Sequence, residues 1–261
     1  MVLGILVRNS NTTIGCIDES DGSVLFSETI SSDSRKTAAE YSVTVKIMLD
    51  LHGIDTALLT GCIISSSAPQ VTPKLRRAAE LLTKGSCRIL EVGPGIKTGV
   101  DIKIEDPGQL GSDLLTGAVA GLEIYGAPLV LIDFGTSITF SVINEKRKFI
   151  GGMIMPGIRV ALDGLIAAAA HLPQIEIKRP ERLVNGTTVE AMQSGIVYGF
   201  AASVDGMLER LEAEFEITPA VVASGEFATA IIPECRHNII IDEQLNMKGL
   251  GLIYRKNTRR R

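Results

Sequence analysis

The chain has 261 residues, of which 45% are hydrophobic and 21% are charged, so it can bury a substantial core and has the composition of a globular protein. Its net charge of −4 argues against nucleic acid or an anionic membrane as the main partner, and the basic end at Arg259 to Arg261 is interpreted as a solvated terminus. The four cysteines form no metal-binding or disulfide pattern, and no signal peptide or membrane-spanning run is recognised. The sequence therefore predicts a protein of the reducing cytoplasm.

Apolar periodicity and turn residues predict the following elements in chain order. The first part contains a hairpin and then alternating helices and strands: strands at 2–6, 11–17 and 23–30, a helix at 38–51, a strand at 56–66, a helix at 73–82 and a strand at 88–92. After a linking helix at 107–120, the pattern begins again: strands at 129–132, 138–143 and 148–154, helices at 158–170 and 187–214, a strand at 220–224, a helix at 226–233, a strand at 238–241 and a last helix that includes 249–254. The repetition predicts two similar α/β halves, residues 1–118 and 119–261.

The two hairpins differ in their turns. The second turn reads Asp-Phe-Gly-Thr-Ser from Asp133, and a turn of this kind can bind phosphate through its N–H groups and hydroxyls while the carboxylate holds a cation. Superposition of the two patterns aligns three pairs: Leu6 with Asp133, Arg8 with Gly135, and Asn9 with Thr136. Two such hairpins facing each other are how an actin-like ATPase fold binds ATP. We therefore expect two ribonuclease H-like halves, each a mixed sheet flanked by helices, with a cleft between the turns at 6–13 and 133–137.

Seven short blocks, in order and at suitable spacing, resemble the type III pantothenate kinases: Ile64 to Pro69, Gly93 to Gly99, Gly111 to Asp113, Asp133 to Thr136, Gly151 to Ile158, Thr187 to Gly195, and Lys248 to Leu250. The similarity runs from the first strand to the last helix. It implies ATP-dependent phosphorylation of pantothenate, the first committed step toward coenzyme A, with Mg²⁺ and a monovalent cation (K⁺ or NH₄⁺) as cofactors.

The resemblance also implies roles for individual residues. Asp113 corresponds to the general base, and Asp133 to the position that binds the monovalent cation. The other corresponding positions are Asn9, Ser10, Asn11, Thr12, Thr136 and Gly225 for the nucleotide, and Gly111, Ser112, Asp113 and Thr188 for pantothenate. Taken alone, the residues leave structural alternatives open: Asp113 as a helix-start carboxylate, Asp133 and Thr136 as turn residues, and Thr188 as a helix cap.

The first hairpin departs from the family pattern, which is Asp-x-Gly-Asn-Thr at this place. Leu6 stands for the aspartate and offers no oxygen to a hydrated Mg²⁺. Arg8 stands for the glycine and adds a side chain where the backbone would approach phosphate, although a guanidinium can also bind phosphate itself. These changes predict weak binding of Mg·ATP and slow phosphorylation of pantothenate.

Further departures affect the acceptor and nucleotide positions. Leu114 stands for an arginine suited to a carboxylate, Ile104 for a tyrosine, and Glu226 for the second glycine of a Gly-Gly pair. Three hypotheses remain open: a pantothenate kinase of low or partner-dependent activity, an inactive paralogue acting as a binding or regulatory subunit, or a kinase of a less anionic acceptor. The broad apolar surface of the helix at 187–214 predicts a homodimer, or a heterodimer with a family member.

Overall fold

The computed structural model describes residues 1–216 and 218–258, so the terminal arginines at 259–261 lie outside the described residues. The chain forms two compact units, one comprising Met1–Ile124 with the chain from Gln244 onward, the other comprising Tyr125–Glu243. Each unit contains a mixed sheet with flanking helices, which confirms the predicted α/β class. Within the described residues, no helix is both long and apolar enough to cross a membrane.

Eleven strands and seven α-helices are assigned in the described residues. In chain order up to Ile124 they are β1 (Val2–Val7), β2 (Asn11–Ile17), β3 (Val24–Ser31), α1 (Ala38–Leu51), β4 (Gly61–Ser66), α2 (Thr72–Leu82), β5 (Arg88–Glu91), β6 (Asp101–Ile102) and α3 (Ser112–Ile124). The remaining elements are β7 (Leu129–Phe134), β8 (Ser137–Ile143), β9 (Lys148–Pro156), α4 (Ile158–Ala168), α5 (Thr188–Phe215), β10 (Ala220–Gly225), α6 (Ala228–Ile231), β11 (Ile240–Ile241) and α7 (Leu245–Thr258).

The first unit has the strand order β3-β2-β1-β4-β5, with β1 antiparallel to β2 and parallel to β4. Successive side chains of β1 point to opposite faces of the sheet. Leu3, Ile5 and Val7 pack with residues of α1 and α2, whereas Val2 and Leu6 pack with residues of α3 and α7. This alternation places Leu6, the residue aligned with Asp133, in an apolar layer beneath α3.

The second unit repeats this topology. Its strand order is β11-β10-β7-β8-β9, with β7 antiparallel to β8 and parallel to β10. Strand β7 therefore holds the central place that β1 holds in the first sheet. Helices α4, α5 and α6 supply the apolar side chains of its core, among them Leu162, Val197 and Ile231. The twofold repetition predicted from the sequence is present.

The predicted helix at 107–120 is interrupted in the structure. Pro107–Gln109 forms a short 3₁₀ turn, capped by the Asp106 carboxylate, which accepts a hydrogen bond from the Gly108 N–H at 3.0 Å. Leu110 is extended, with φ −68° and ψ 118°, so α3 begins only at Ser112. Because α3 begins after this interruption, a side chain of its first turn can form hydrogen bonds with the sheet.

Three other predicted elements are shorter than expected. The strand predicted at 56–66 begins only at Gly61, because Asp55 caps a 3₁₀ turn over Thr56–Leu58. The helix predicted at 226–233 is reduced to α6 and a following 3₁₀ turn, since the Glu226 N–H donates to the Phe134 carbonyl at 3.1 Å instead of entering a helix. The strand predicted at 238–241 is reduced to β11.

The compact units do not coincide with the predicted halves, residues 1–118 and 119–261. The predicted boundary falls inside α3, which continues to Ile124. Helix α7 was predicted with the second half but packs in the first unit, where Leu250 and Ile253 share an apolar cluster with Val2. The end of the chain thus returns to cover the first sheet.

Candidate active site

Leu6 and Asp133 occupy equivalent positions, as the alignment of the hairpins predicts. Each is the last residue but one of its central strand. Asp133 is half-buried and lies directly opposite Ser224 of the parallel neighbour β10. The Ser224 hydroxyl donates to Asp133 Oδ1 at 3.2 Å. This hydrogen bond orients the carboxylate at the end of the strand, where a cation or phosphate could reach it.

The turn after Asp133 is shaped by backbone contacts. The Gly135 N–H donates to the Ser137 carbonyl at 3.0 Å, and the side chain of Thr136 is exposed. Gly225 lies beside this turn with φ +103°, and a Cβ there would come within 2.4 Å of the Phe134 carbonyl oxygen. Glycine is therefore required at 225 for close packing against β7. The exposed hydroxyl of Thr136 and the nearby backbone form a surface able to bind phosphate.

The first turn is held by hydrogen bonds from the end of β3. The Arg8 N–H donates to the Asn11 carbonyl at 2.9 Å, which closes the turn. The Ser32 hydroxyl donates to the Arg8 carbonyl at 2.7 Å and accepts from the Thr12 hydroxyl at 2.8 Å. Thr12 is fully buried and its hydroxyl is used in this way, so its side chain stabilises the turn. Its predicted contact with the nucleotide stays a prediction. Ser32 was not identified from the sequence.

The tip of the first turn carries polar side chains that solvent can reach. Asn9 and Ser10 are exposed, and Asn11 is half-buried. Leu6 below them is only 4% exposed and belongs to the apolar cluster that includes Ile63 and Leu115. The turn therefore presents amides and a hydroxyl to a ligand, without the carboxylate found at the second hairpin.

Asp113 lies in the first turn of α3, and its carboxylate is next to the first hairpin. Its side chain is 15% exposed, and its Oδ2 is 3.7 Å from Arg8 Nε. A Cβ at Gly111 would come within 2.6 Å of Asp113 Oδ1, so the glycine makes room for the carboxylate. Asp113 is thus a carboxylate in the first turn of α3, the position that the structural alternative predicts. Arg8 and Asp113, which are far apart in the sequence, form an ion pair.

Ser112 anchors the start of α3 to the end of β4. Its hydroxyl donates to the Ser66 carbonyl at 3.0 Å and accepts from the Ser66 N–H at 2.9 Å. It also bonds to the Ser65 hydroxyl at 2.9 Å. A hydroxyl has one proton and two lone pairs, so these contacts use its full capacity. The side chain of Ser112 thus anchors the start of α3, and its predicted contact with substrate stays a prediction.

Three further positions were predicted for the acceptor site, at Thr188, Leu114 and Ile104. Thr188 is the exposed first residue of α5, and the cap is Thr187, whose hydroxyl accepts from the Glu190 N–H at 3.3 Å. The capping role considered for Thr188 is therefore wrong. Leu114 is half-buried beside Asp113, and Ile104 is half-buried in the segment before α3.

Comparisons with solved structures show the fold. The activator of the 2-hydroxyisocaproyl-CoA dehydratase from Clostridium difficile with bound ADPNP superimposes with a TM-score of 0.55 at 12% identity, over 98% of this chain and 94% of that one. The (R)-2-hydroxyglutaryl-CoA dehydratase component A from Acidaminococcus fermentans gives a TM-score of 0.53 at 11% identity, covering 97% of this chain and 96% of that one. The chain has the actin-like ATPase fold, as predicted.

Sequence comparisons identify the family. The model of the type III pantothenate kinases matches residues 2–210. A type III pantothenate kinase of Geobacillus thermodenitrificans is 40% identical over 100% of both chains. Another, from Halalkalibacterium halodurans, is 39% identical over 98% of this chain and 100% of the relative. This chain belongs to the type III pantothenate kinase family, which confirms the resemblance found in its motifs.

Proposed function

We propose that this chain transfers the γ-phosphoryl group of ATP to the hydroxyl of pantothenate. The observation that carries the proposal is the fixed carboxylate of Asp113, which Gly111 accommodates and Ser112 anchors at the first turn of α3. Asp113 accepts the proton of the hydroxyl as its oxygen bonds to the γ-phosphorus. The bond from that phosphorus to the β,γ-bridging oxygen breaks, and ADP leaves.

The nucleotide contacts in this proposal follow from the family resemblance. They are Asn9, Ser10 and Asn11 of the first unit, with Thr12 keeping their turn in shape, and Thr136 and Gly225 of the second. Carboxylate and hydroxyl oxygens are the donors that hard cations prefer, so Asp133 with Ser224 fits K⁺ or NH₄⁺. A cation held there would offset phosphate charge.

The pantothenate contacts that the family resemblance implies are Gly111, Ser112 and Asp113 in the first unit and Thr188 in the second. Leu114 cannot form the ion pair with the pantothenate carboxylate that an arginine would form. We therefore expect a high KM for pantothenate. Pantothenol, the alcohol analogue without that carboxylate, separates this proposal from a kinase of less anionic acceptors. A kcat/KM for pantothenol well above that for pantothenate favours the other acceptor class.

The test is an assay of phosphopantothenate formation by the purified chain, freed of host kinases. The wild-type chain is expected to turn over slowly, and Asp113→Asn to lower kcat by about 10²- to 10⁴-fold, the usual contribution of a general base. Asp50→Asn is the matched control, because Asp50 is exposed and pairs with Lys46 on the surface of α1. Equal rates for wild type and Asp113→Asn contradict the role of Asp113.

A second candidate function is that of an inactive paralogue serving as a binding or regulatory subunit. It is favoured by the buried Leu6 and by the ion pair between Arg8 and Asp113, which engages the carboxylate that must accept a proton. Mixing the chain with a relative that has an intact Asp-x-Gly-Asn-Thr hairpin tests this candidate. A rate of the mixture that differs from the sum of the separate rates, while this chain alone gives none, supports the regulatory role.

The proposal includes a homodimer, or a heterodimer with a family member, in the cytoplasm. The second unit exposes large apolar side chains, including Ile154, Val160, Val184 and Val189. Exposed apolar side chains mark an interaction surface where they form a contiguous patch. Light scattering of the chain at micromolar concentration is expected to give the mass of a dimer. If the chain is still a monomer when a family partner is present, the dimer proposal is contradicted.

The buried Cys16 and Cys62, whose thiol pKa values are raised by burial, suit a reducing compartment.

A further inference from the structure

One edge of the second sheet brings three segments of the chain side by side. In the strand order β10-β7-β8-β9, the turn between β7 and β8 lies between the end of β10 and the end of β9. The Glu226 N–H, just after β10, donates to the Phe134 carbonyl at 3.1 Å. The Gly157 N–H, just after β9, donates to the Thr136 carbonyl at 3.1 Å. Strands β7, β9 and β10 all end at this edge, and ligands of open α/β sheets bind outside such an edge.

A cationic side chain joins the two segments that flank the turn. Arg159 belongs to the first turn of α4, two residues after Gly157, and its guanidinium carbon lies 5.8 Å from the centre of the Phe227 ring. Phe227 lies on the other side of the turn, two residues after Gly225. A guanidinium at this distance from an aromatic ring is attracted by the ring electrons. The contact therefore spans the edge of the sheet at which the phosphate-binding turn lies.

The charge of Arg159 is not taken up by another side chain. In the part of the chain that the structure describes, Arg159 forms no ion pair and no side-chain hydrogen bond, not even with Asp163 one turn further along α4. Arg159 is exposed, whereas Phe227 is half-buried. The exposed Glu226 brings negative charge to the same loop, which would repel a polyphosphate unless a cation lies close by. A permanent positive charge at this edge offsets that repulsion.

The first hairpin adds to the need for a protein cation at the second. Its cation-binding position is Leu6, an aliphatic side chain with 4% exposure, so this strand offers no carboxylate oxygen to Mg²⁺. In residues 1–216 and 218–258, no group of three or more His, Cys, Asp or Glu side chains could hold a metal ion. Charged side chains that face the phosphates therefore become more important for nucleotide binding.

We propose that Arg159 is a nucleotide-binding residue, whose guanidinium contacts a phosphate oxygen of ATP at the second hairpin while Phe227 orients it. The proposal rests on the proposed function, because ATP must occupy that hairpin. A guanidinium presents five N–H donors in a planar fork that matches phosphate oxygens. None of the five donates to an acceptor within the described residues. Sequence reasoning missed this pair, because the contact joins segments that are distant in the chain.

The first experiment compares the binding of a non-hydrolysable ATP analogue with that of adenosine by calorimetry. Arg159→Gln keeps a polar side chain and removes the charge. We expect this variant to bind the analogue at least about fivefold more weakly than the wild-type chain, since a charge-assisted contact is lost from an exposed position. Adenosine carries no phosphate, so its Kd is expected to be unchanged.

Arg210→Gln is the matched control. Arg210 is an exposed arginine of the same unit, near the end of α5, and α5 leads into the start of β10 and not to its end at Gly225. This control should leave both Kd values unchanged. Thermal unfolding of each variant distinguishes loss of a contact from loss of the fold.

A second variant tests the part played by the aromatic ring. Phe227→Leu keeps an apolar side chain but removes the ring that orients the guanidinium. We expect it to weaken binding of the analogue by about two- to fivefold, which corresponds to the loss of one exposed cation–π contact. The effect is smaller than that of Arg159→Gln, because the positive charge is still present.

Three results would overturn the proposal: a loss of less than about fivefold for Arg159→Gln, an equal loss for adenosine, which would place Arg159 at the base instead of the phosphates, or no binding of the analogue by the wild-type chain. Failure of the proposed function looks different. In that case the analogue still binds and Arg159→Gln still weakens it, but the purified chain forms no phosphopantothenate.

Discussion

Comparison of the two hairpins shows how one sheet topology can serve two purposes. In the second unit, Ser224 lies opposite Asp133 and donates a hydrogen bond to its carboxylate. In the first unit, Ser65 lies opposite Leu6 at the equivalent register, and its hydroxyl bonds to Ser112 of α3 instead. The same pair of strands therefore supports a carboxylate in one unit and anchors a helix in the other.

The two hairpins also differ in the position of their charged side chains. At the second hairpin the ionised group belongs to the central strand, at Asp133. At the first, the strand position is aliphatic, and the charges belong to the turn at Arg8 and to the helix at Asp113. The repeated fold thus fixes the position at which a ligand can bind, whereas the substitutions determine which charged side chain lies at that position.

A large loss of activity is expected from making the second hairpin like the first, through Asp133→Leu. We expect turnover to fall on the order of a hundredfold, because one charge-assisted contact contributes about 1.5–3 kcal/mol, and the response to K⁺ to disappear. Rates measured over a series of K⁺ concentrations check both effects. Asp50→Leu on the surface of α1 serves as the control, and retention of the K⁺ response by Asp133→Leu would contradict the assignment.

The reverse change, Leu6→Asp alone, is expected to affect stability. It places a carboxylate in an apolar cluster, which we expect to lower the free energy of unfolding by about 2–4 kcal/mol. Urea denaturation without nucleotide measures the loss. Leu6→Met keeps the volume and should cost less than about 1.5 kcal/mol. If the two variants unfold at the same urea concentration, the site tolerates a carboxylate and the contrast between the hairpins is smaller than inferred.

The anchor that is specific to the first unit can be removed by Ser112→Ala. The change takes away the acceptor of the Ser66 N–H and the partner of the buried Ser65 hydroxyl. A loss of about 1–2 kcal/mol in unfolding free energy is expected. For comparison, Ser203→Ala removes an exposed hydroxyl that donates to a carbonyl within α5 and should cost under about 0.5 kcal/mol. Equal losses for both variants would show that the anchor is unimportant.

The smallest expected effect is a pH dependence in the second unit. Burial by itself would raise the pKa of Asp205, but hydrogen bonds from the Arg236 N–H and from the backbone and side chain of His237 outweigh it and hold this pKa below its usual value. Because the folded pKa lies below the unfolded one, Asp205 contributes stability above about pH 4, and this contribution is lost as the pH falls toward the folded pKa.

Unfolding measured in urea at several acidic pH values tests this sign. We expect the wild-type chain to lose stability more steeply than Asp205→Asn as the pH falls, with about 1.4 kcal/mol for each unit of pKa difference. Glu212 lies 3.8 Å from the other ring nitrogen of His237, so Glu212→Gln is the control for the neighbouring carboxylate. Parallel curves for wild type and Asp205→Asn would rule out the contribution of Asp205.

The sequence alone determined the secondary-structure elements that depend on residues close together in the chain. Helix α1 has the bounds predicted from its apolar spacing, because Thr37 and Glu40 form a capping box at its start. The two hairpins aligned correctly because each is formed by consecutive residues. The family followed from motifs spread along the whole chain, and with it the fold. These features need no knowledge of which distant residues meet.

Only the tertiary structure decided what depends on distant contacts. The start of α3 at Ser112 is set by hydrogen bonds to Ser65 and Ser66 of β4, which no local pattern reveals. Helix α7 covers the first sheet although it ends the chain. Arg8 and Asp113 are separated by more than a hundred positions, and their pairing follows from the packing of α3 beside the end of β1. Side chains of opposite charge reveal their partner only when folding brings them together, because the sequence records residue type and order but not proximity.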